Sequence, residues 1–144
     1  MENVNIDIVL IEDNADDAEL TIRALKKNNI PCNILHLKDG LEALEFIFCD
    51  GKYATRDIDM KPKVILLDLN MPKISGIEVL EKIKSDERTK STPVIVLTSS
   101  KESPDIQICY KLGANSYIVK PVGYENFVQT ITELGLYWLL RNQG

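Results

Sequence analysis

Two short apolar runs of this sequence end in carboxylates. Ile6–Ile11 is followed by Glu12 and Asp13, and Val64–Leu67 is followed by Asp68. A carboxylate is a poor filler for a strand that is covered on both faces, because an unpaired charge is costly to desolvate there. We therefore expect Asp68 to lie at the carboxyl end of its strand, facing a crevice.

Two further apolar runs end in Thr98 and in Lys120. Ligands of open parallel sheets bind outside the carboxyl ends of the strands, where the strand order reverses. Clustered carboxylates need a positive partner there, because each pair at 4 Å repels by roughly 4 kcal/mol at an effective dielectric of 20. Mg²⁺ fits this need, since it takes oxygen ligands and keeps sites for water and phosphate oxygens. Lys120 supplies a further positive charge, and Thr98 supplies a hydroxyl donor.

The elements that must position these residues alternate between strand-like and helix-like patterns. The predicted strands are Ile6–Ile11, Cys32–Leu37, Val64–Asp68, Val94–Thr98 and Ser116–Val119. The predicted helices are Asp16–Lys27, Leu41–Phe48, Ile77–Ser85, Pro104–Leu112 and a last one from Tyr124 to Arg141. This alternation predicts an α/β fold with a doubly wound parallel sheet. In the strand order 2-1-3-4-5, Glu12, Asp13 and Asp68 meet at the point where the order reverses.

The loop before the third strand and the start of the first helix are interpreted as structural features. Cys49–Lys63 lacks periodicity and is predicted to be a solvated loop, more often a passive insertion than a binding element. Asp16 and Asp17 are interpreted as favouring the N-terminus of the first helix electrostatically.

Composition narrows the class of protein. A length of 144 residues, with 44% hydrophobic and 27% charged residues, predicts one globular domain over residues 1–144 and no output domain. A net charge of -5 argues against binding to nucleic acid or to an anionic membrane. The absence of a leader, of an apolar run of about 18 residues and of paired cysteine motifs predicts a cytoplasmic protein.

Several short motifs, in this order along the chain, identify a family. They are Ile11-Glu12-Asp13-Asn14, Leu67-Asp68-Leu69-Asn70-Met71-Pro72, Gly76, Leu97-Thr98-Ser99-Ser100, Gly113-Ala114 and Tyr117-Ile118-Val119-Lys120-Pro121. Over almost its whole length, the chain resembles the receiver domain of two-component response regulators. The Cys49–Lys63 loop and the Tyr137-Trp138 ending further resemble stand-alone receivers that pair with phytochrome-like kinases.

The resemblance implies a flavodoxin-like receiver fold with five helices and the function of a single-domain response regulator. Asp68 would accept a phosphoryl group from a sensor histidine kinase. Asp13, Asp68 and the carbonyl of Asn70 would bind Mg²⁺, with Glu12 acting mostly through a coordinated water. Lys120 and the Thr98 hydroxyl, with a backbone N–H of Asn70 or Ser99, would meet the phosphoryl oxygens. The chain would then catalyse only its own phosphorylation and dephosphorylation.

The same resemblance implies roles for further residues. Small Ser99 would leave room for the phosphoryl group, and Asn70 and Ser100 would tune its hydrolysis. Tyr117 would change rotamer when the Thr98 hydroxyl turns to the phosphoryl group, and so switch a protein-binding surface. The family commonly has a cis peptide at the position of Lys120–Pro121.

The end of the chain carries more apolar residues than one buried face requires. Phe127, Ile131, Leu134 and Trp138 form one helical stripe for the sheet. The remaining apolar groups indicate a surface for a partner or for a phosphorylation-dependent homodimer, made by Tyr137, Trp138, Leu139 and Leu140. A chain end folded back on the core is the alternative.

Other functions remain open from the sequence. A receiver-like binding module that is never phosphorylated is the first, although such modules typically lose an acidic residue, the aspartate or the lysine, and all are present here. A Mg²⁺-dependent phosphohydrolase would want a general acid two residues after Asp68, where Asn70 stands. A flavin-binding protein would want a phosphate cradle where Glu12-Asp13-Asn14-Ala15 is acidic. The downstream target is unknown.

Overall fold

The computed structural model describes residues 6–27 and 32–140. Its strands form one parallel sheet in the order β2-β1-β3-β4-β5, which confirms the predicted fold. The strands are β1 (Ile8–Ile11), β2 (Ile34–Leu37), β3 (Val64–Asp68), β4 (Val94–Thr98) and β5 (Ser116–Val119). β1 and β2 each begin two residues later than predicted, because the paired register starts with Ile8 opposite Ile34.

Helices connect the strands and cover both faces of the sheet. They are α1 (Ala15–Lys27), α2 (Gly40–Ile47), α3 (Gly76–Ser85), α4 (Asp105–Leu112) and α5 (Tyr124–Glu133), with short 3₁₀ helices at Gly51–Tyr53 and Tyr137–Leu140. In the described part of the chain, no helix has the length and apolar character needed to cross a membrane.

The strands are apolar throughout because each one buries side chains on both faces. Val9 and Ile11 of β1 join the core under α2, α3 and α4, while Ile8 and Leu10 join the core under α1 and α5. Each of these four side chains is at most 1% exposed. Full burial of such a side chain contributes about 1.5–3 kcal/mol, so the strand ends are held on a rigid support.

Gly76 brings α3 close to the end of β3. A Cβ atom at this position would lie 2.3 Å from the backbone carbonyl oxygen of Asp68, so only glycine permits the approach. The preceding Ser75 caps the helix, and its hydroxyl accepts from the backbone N–H of Glu78 at 3.2 Å. The connection that follows Asp68 is therefore fixed at both of its ends.

The predicted last helix, Tyr124 to Arg141, is wrong in its extent. The helix ends at Glu133, and Gly135 adopts a left-handed conformation with φ of 76°. Backbone N–H groups of Gly135 and Leu136 donate to the carbonyls of Thr132 and Ile131, at 3.0 and 2.7 Å, which is the Schellman ending of a helix. The apolar periodicity of the sequence continues past Gly135, but the helical conformation of the backbone ends before it.

This early ending also corrects part of the predicted interface. Leu139 is 4% exposed and packs in the core under α1 and α5, and its carbonyl accepts from the thiol of Cys32. Leu139 is therefore not a surface residue. Trp138 does not continue the stripe of α5; it is 38% exposed, with the Lys63 ammonium 5.7 Å from its ring. The side chains of Tyr137 and Leu140, and all of Arg141, lie outside the described residues.

The Cys49–Lys63 loop is more ordered than its lack of periodicity suggested. Arg56 holds it from the inside: its guanidinium stacks 3.9 Å from the centre of the Phe46 ring and donates to the carbonyls of Phe46 and Met60. It also donates to the sulfur of Cys49 at 3.2 Å. These contacts add to the short 3₁₀ helix Gly51–Tyr53 and to backbone hydrogen bonds within the loop.

Candidate functional site

The carboxyl ends of β1, β3, β4 and β5 lie along one edge of the sheet. The register pairs Ile11 with Leu67, Asp68 with Leu97, and Thr98 with Val119. The residue that follows each strand therefore enters the same crevice. Glu12 follows β1, Asp68 closes β3, and Lys120 follows β5 and is joined to Pro121 by a cis peptide bond.

The Lys120 ammonium is the electrostatic centre of this edge. Its Nζ atom lies 2.8 Å from Oε1 of Glu12, 3.2 Å from Oδ1 of Asp68 and 3.4 Å from Oδ2 of Asp17. The side chains of Glu12 and Asp68 are almost fully buried, whereas that of Lys120 is 22% exposed. One ammonium thus compensates carboxylates from β1, β3 and α1.

Lys120 remains protonated in this setting. Burial by itself lowers the pKa of its ammonium, but the hydrogen bond to Glu12 and the negative charge of Asp68 outweigh that effect and raise the pKa. The side chain is therefore a fixed positive charge over the pH range in which proteins are stable.

The surroundings of Glu12 at this edge of the sheet change the pKa of its carboxyl group strongly. Burial, followed by the hydrogen bond to the neighbouring Asp68 carboxylate, raises the pKa of Glu12 to about 7. Its second carboxylate oxygen accepts from the backbone N–H of Asn14 at 3.2 Å. Its backbone carbonyl contacts Nε2 of His36 at 2.7 Å. These contacts fix the residue, and they place the only histidine of the chain in a structural role.

The stability of the metal-free protein is therefore expected to fall with rising pH. The folded state binds the Glu12 proton more tightly than the unfolded state, where its pKa has the ordinary value of 4.5. This stabilisation is complete below pH 4.5 and is lost as the pH rises through about 7, with a total of at most about 3 kcal/mol. Urea unfolding in EDTA at pH 5.5 and pH 8 measures it.

Glu12→Gln is the matched variant for this prediction, because it retains the size of the side chain and removes the titration. We expect the difference between the two pH values to shrink in Glu12→Gln, and to shrink in wild type when Mg²⁺ is added. An equal pH dependence in wild type and variant would contradict the assignment to Glu12.

Glu12, Asp13 and Asp68 fit a hard divalent cation. One carboxylate oxygen from each of them lies within 4.8 Å of the other two, and Asp13 is exposed while Glu12 and Asp68 are buried. Oxygen donors of this kind suit Mg²⁺. Asn70 is also exposed, and its backbone N–H donates to Oδ1 of Asp68 at 3.3 Å.

The other predicted residues lie around this centre. Thr98 is buried, and its hydroxyl donates to the carbonyl of Ser100 and accepts from the Ser100 N–H, at 3.2 and 3.4 Å. Ser99 and Ser100 are exposed. Tyr117 lies on β5, half-buried, with its ring 6.3 Å from that of Tyr110 and edge-on to it.

Asp17 was not predicted to belong to this edge. The sequence explains an acid in the first turn of a helix by the helix dipole alone. Its contact with Lys120 joins residues 103 positions apart and depends on how α1 lies against the end of β5. No local pattern carries that information.

A doubly wound sheet with an acidic cluster and one lysine at its carboxyl edge defines the receiver class of signalling domains. The sequence profile of the response regulator receiver domain matches residues 8–132, and the chain belongs to that family. Receivers of this family are the phosphoacceptor domains of two-component systems, and they typically bind Mg²⁺.

Individual relatives are similar in sequence to this chain over nearly its full length. A probable methanogenesis regulatory protein, FilR2 of Methanothrix harundinacea, is 38% identical over 95% of this chain and 86% of its own length. Response regulator Rcp1 of Synechocystis is 36% identical over 92% of this chain and 88% of its own length.

Solved structures extend the comparison. The bacteriophytochrome response regulator AtBRR superposes with a TM-score of 0.85 at 38% identity, covering 98% of this chain and all of its own. A Mn²⁺-bound form of Rcp1 gives a TM-score of 0.75 at 34% identity, covering 96% of this chain and 97% of its own. The predicted resemblance to phytochrome-associated receivers is confirmed.

Proposed function

We propose that this protein accepts a phosphoryl group on Asp68 from a histidine kinase in a Mg²⁺-dependent reaction and thereby switches a protein-binding surface. The observation that carries the proposal is the convergence of Lys120 with Glu12 and Asp68 at 2.8 and 3.2 Å, beside exposed Asp13. A buried carboxylate held by a lysine beside an open acidic cluster can act as a nucleophile toward a phosphoryl donor.

Asp68 would attack the phosphorus atom of a phosphohistidine with one carboxylate oxygen. A P–O bond forms as the P–N bond breaks, and the electron pair of the broken bond leaves with the imidazole, which takes up a proton. The Asn70 N–H and the Lys120 ammonium both contact Oδ1 of Asp68, so they hold the carboxylate in a defined orientation. Positioning of this kind and charge compensation supply most of the catalysis in phosphoryl transfer.

Mg²⁺ would be held by Asp13, by Asp68 and by the backbone carbonyl of Asn70, with Glu12 acting mostly through a coordinated water. When bound, the ion neutralises charge on the equatorial phosphoryl oxygens. The donor set supports this assignment, since every member offers oxygen. The Mn²⁺-bound form of Rcp1 supports a divalent ion in a relative.

Lys120 and Thr98 would bind the remaining phosphoryl oxygens. The Thr98 hydroxyl now bonds to the Ser100 backbone and would have to rotate toward the phosphoryl group. Ser99 would leave space for that group. Asn70 and Ser100 would set how readily water reaches the acyl phosphate, so that the protein also catalyses its own dephosphorylation.

The Thr98 rotation is the step that would reach Tyr117. Tyr117→Ala is expected to leave phosphorylation within about twofold of wild type, because its ring is not among the groups that hold Asp68. The same variant is expected to lose most phosphorylation-dependent partner binding or assembly. Acetyl phosphate kinetics measure the first effect, and sizing with and without a phosphate analogue measures the second.

Tyr110→Ala is the matched control for this prediction. Tyr110 lies on α4, is 45% exposed, and forms the ring pair with Tyr117, so this variant removes the other ring of the pair. A Tyr117→Ala protein whose output equals that of wild type would refute the switch role of Tyr117.

The partners proposed for this function are a sensor histidine kinase and a downstream protein of unknown identity, both in the cytoplasm. Homodimerisation through the end of the chain stays a prediction. Its structural support now depends on Trp138, because Leu139 is buried.

The proposed function is tested by incubating the protein with acetyl phosphate in Mg²⁺ or in EDTA and measuring the intact mass. We expect a single labile phosphoryl addition that requires Mg²⁺. A wild-type protein that takes up no phosphoryl group from acetyl phosphate or from a phosphorylated histidine kinase would instead be a binding module.

A further inference from the structure

Lys120 has one partner that the proposed reaction does not use. We propose that Asp17 is a positioning residue, which holds the Lys120 ammonium on the α1 side of the site when a divalent cation occupies Glu12, Asp13 and Asp68. The inference rests on the proposed function, because it concerns the cation of that reaction. The contact that carries it is the distance of 3.4 Å between Nζ of Lys120 and Oδ2 of Asp17.

The local structure of α1 directs Asp17 toward Lys120. Asp17 is the third residue of the helix, and its backbone N–H donates to Oδ1 of Asn14 at 2.9 Å. An acid at this position commonly turns back to the backbone N–H of the capping residue. Here Glu12 already accepts from the N–H of Asn14. The Asp17 carboxylate reaches across to the end of β5 instead.

A cation and the Lys120 ammonium would share the carboxylates of Glu12 and Asp68. Lys120 contacts Oδ1 of Asp68, while the carboxylates of Asp68, Glu12 and Asp13 form the cluster that fits the ion. Like charges repel at this separation. An ammonium that moves away from the cluster needs a second anion within reach.

Asp17 meets that need from outside the acidic cluster. Together with Glu12 and Lys120 it lines a cavity of about 220 Å³ between α1 and the connection that follows β5. The cavity leaves room for the ammonium to shift. The Asp17 side chain is 44% exposed, so its charge remains accessible to solvent and does not need Lys120 for its own stability.

Asp16 offers a matched control for the charge alone. It precedes Asp17 in the first turn of the same helix and is exposed. In the described part of the chain, the ion-pair partners of Lys120 are Glu12, Asp17 and Asp68, so Asp16 carries the same charge in the same helical turn without the contact. A difference between the two variants therefore reports the ion pair.

The test is a calorimetric titration of Mg²⁺ without any phosphoryl donor, on wild type, Asp17→Asn, Asp16→Asn, Lys120→Met and the Asp17→Asn/Lys120→Met double variant. We expect Asp17→Asn to bind Mg²⁺ about three- to fivefold more weakly, the size of a partly exposed ion pair, and Asp16→Asn to change binding by less than about twofold. In the Lys120→Met background, Asp17→Asn is expected to have no more effect than Asp16→Asn, because the ammonium through which it acts is absent.

Two results would overturn the inference while leaving the proposed function intact. One is equal Mg²⁺ affinity in Asp17→Asn and Asp16→Asn. The other is an Asp17→Asn effect that persists undiminished in the Lys120→Met background, which would make Asp17 a direct contributor to the cation site. A wild-type protein that binds no Mg²⁺ would instead overturn the proposed function, and this inference with it.

Discussion

Replacing Asp68 with asparagine is expected to reduce phosphoryl addition from acetyl phosphate or from a histidine kinase to the background of the assay. The amide lacks the anionic oxygen that is proposed to form the P–O bond. The variant should stay folded, because Lys120 still pairs with Glu12 and Asp17. Intact mass measures the addition, and circular dichroism verifies the fold.

Asp59→Asn is the control for the Asp68 prediction. Asp59 is exposed in the loop before β3, so the change removes the same charge without touching the site. We expect wild-type phosphorylation in Asp59→Asn. Full phosphorylation of Asp68→Asn would show that another residue accepts the group, and the proposed role of Asp68 would be wrong.

Lys120→Met is expected to impair both phosphorylation and stability. Removing a fixed charge that is proposed to meet the phosphoryl oxygens should slow phosphorylation about a hundredfold or more. Removing one partner of a buried ion pair leaves the carboxylates of Glu12 and Asp68 uncompensated, at a cost of about 3–5 kcal/mol. We expect about 2 kcal/mol at pH 8, since the site is partly open and Glu12 can take up a proton.

The dependence of the Lys120→Met destabilisation on pH and on Mg²⁺ distinguishes loss of charge from simple loss of packing. Near pH 5.5, where Glu12 is protonated, the destabilisation by Lys120→Met should be smaller, and Mg²⁺ should restore much of it at pH 8 by replacing the missing positive charge. Lys61→Met, at an exposed position, is the control and should have no effect. A loss of stability in Lys120→Met that is equal at both pH values and insensitive to Mg²⁺ would contradict this explanation.

The sequence predicts the fold well where a run of apolar residues, closed by a polar residue, fits only a buried strand. β3 is a run of apolar residues closed by Asp68, and its predicted bounds are those of the structure. The carboxylates at strand ends could be grouped from the strand order alone, because the carboxyl ends of parallel strands share one edge.

The errors have a common physical cause, which is that period and composition do not report backbone conformation. Leu134 and Trp138 continue the predicted apolar stripe, yet Gly135 between them allows the left-handed turn that ends α5 and returns Leu139 to the core. The contact between Asp17 and Lys120 is not predicted for a related reason, because helix packing, rather than helix propensity, places the two side chains together.

The central claim is that Asp68 carries the phosphoryl group, and mapping that group tests it most directly. Protein phosphorylated with acetyl phosphate and Mg²⁺ is reduced with borohydride, which converts an aspartyl phosphate to homoserine, and the peptide that contains residue 68 is sequenced by mass spectrometry. We predict homoserine at position 68. Homoserine at Asp13 or at any other aspartate, with Asp68 unchanged, would contradict the account.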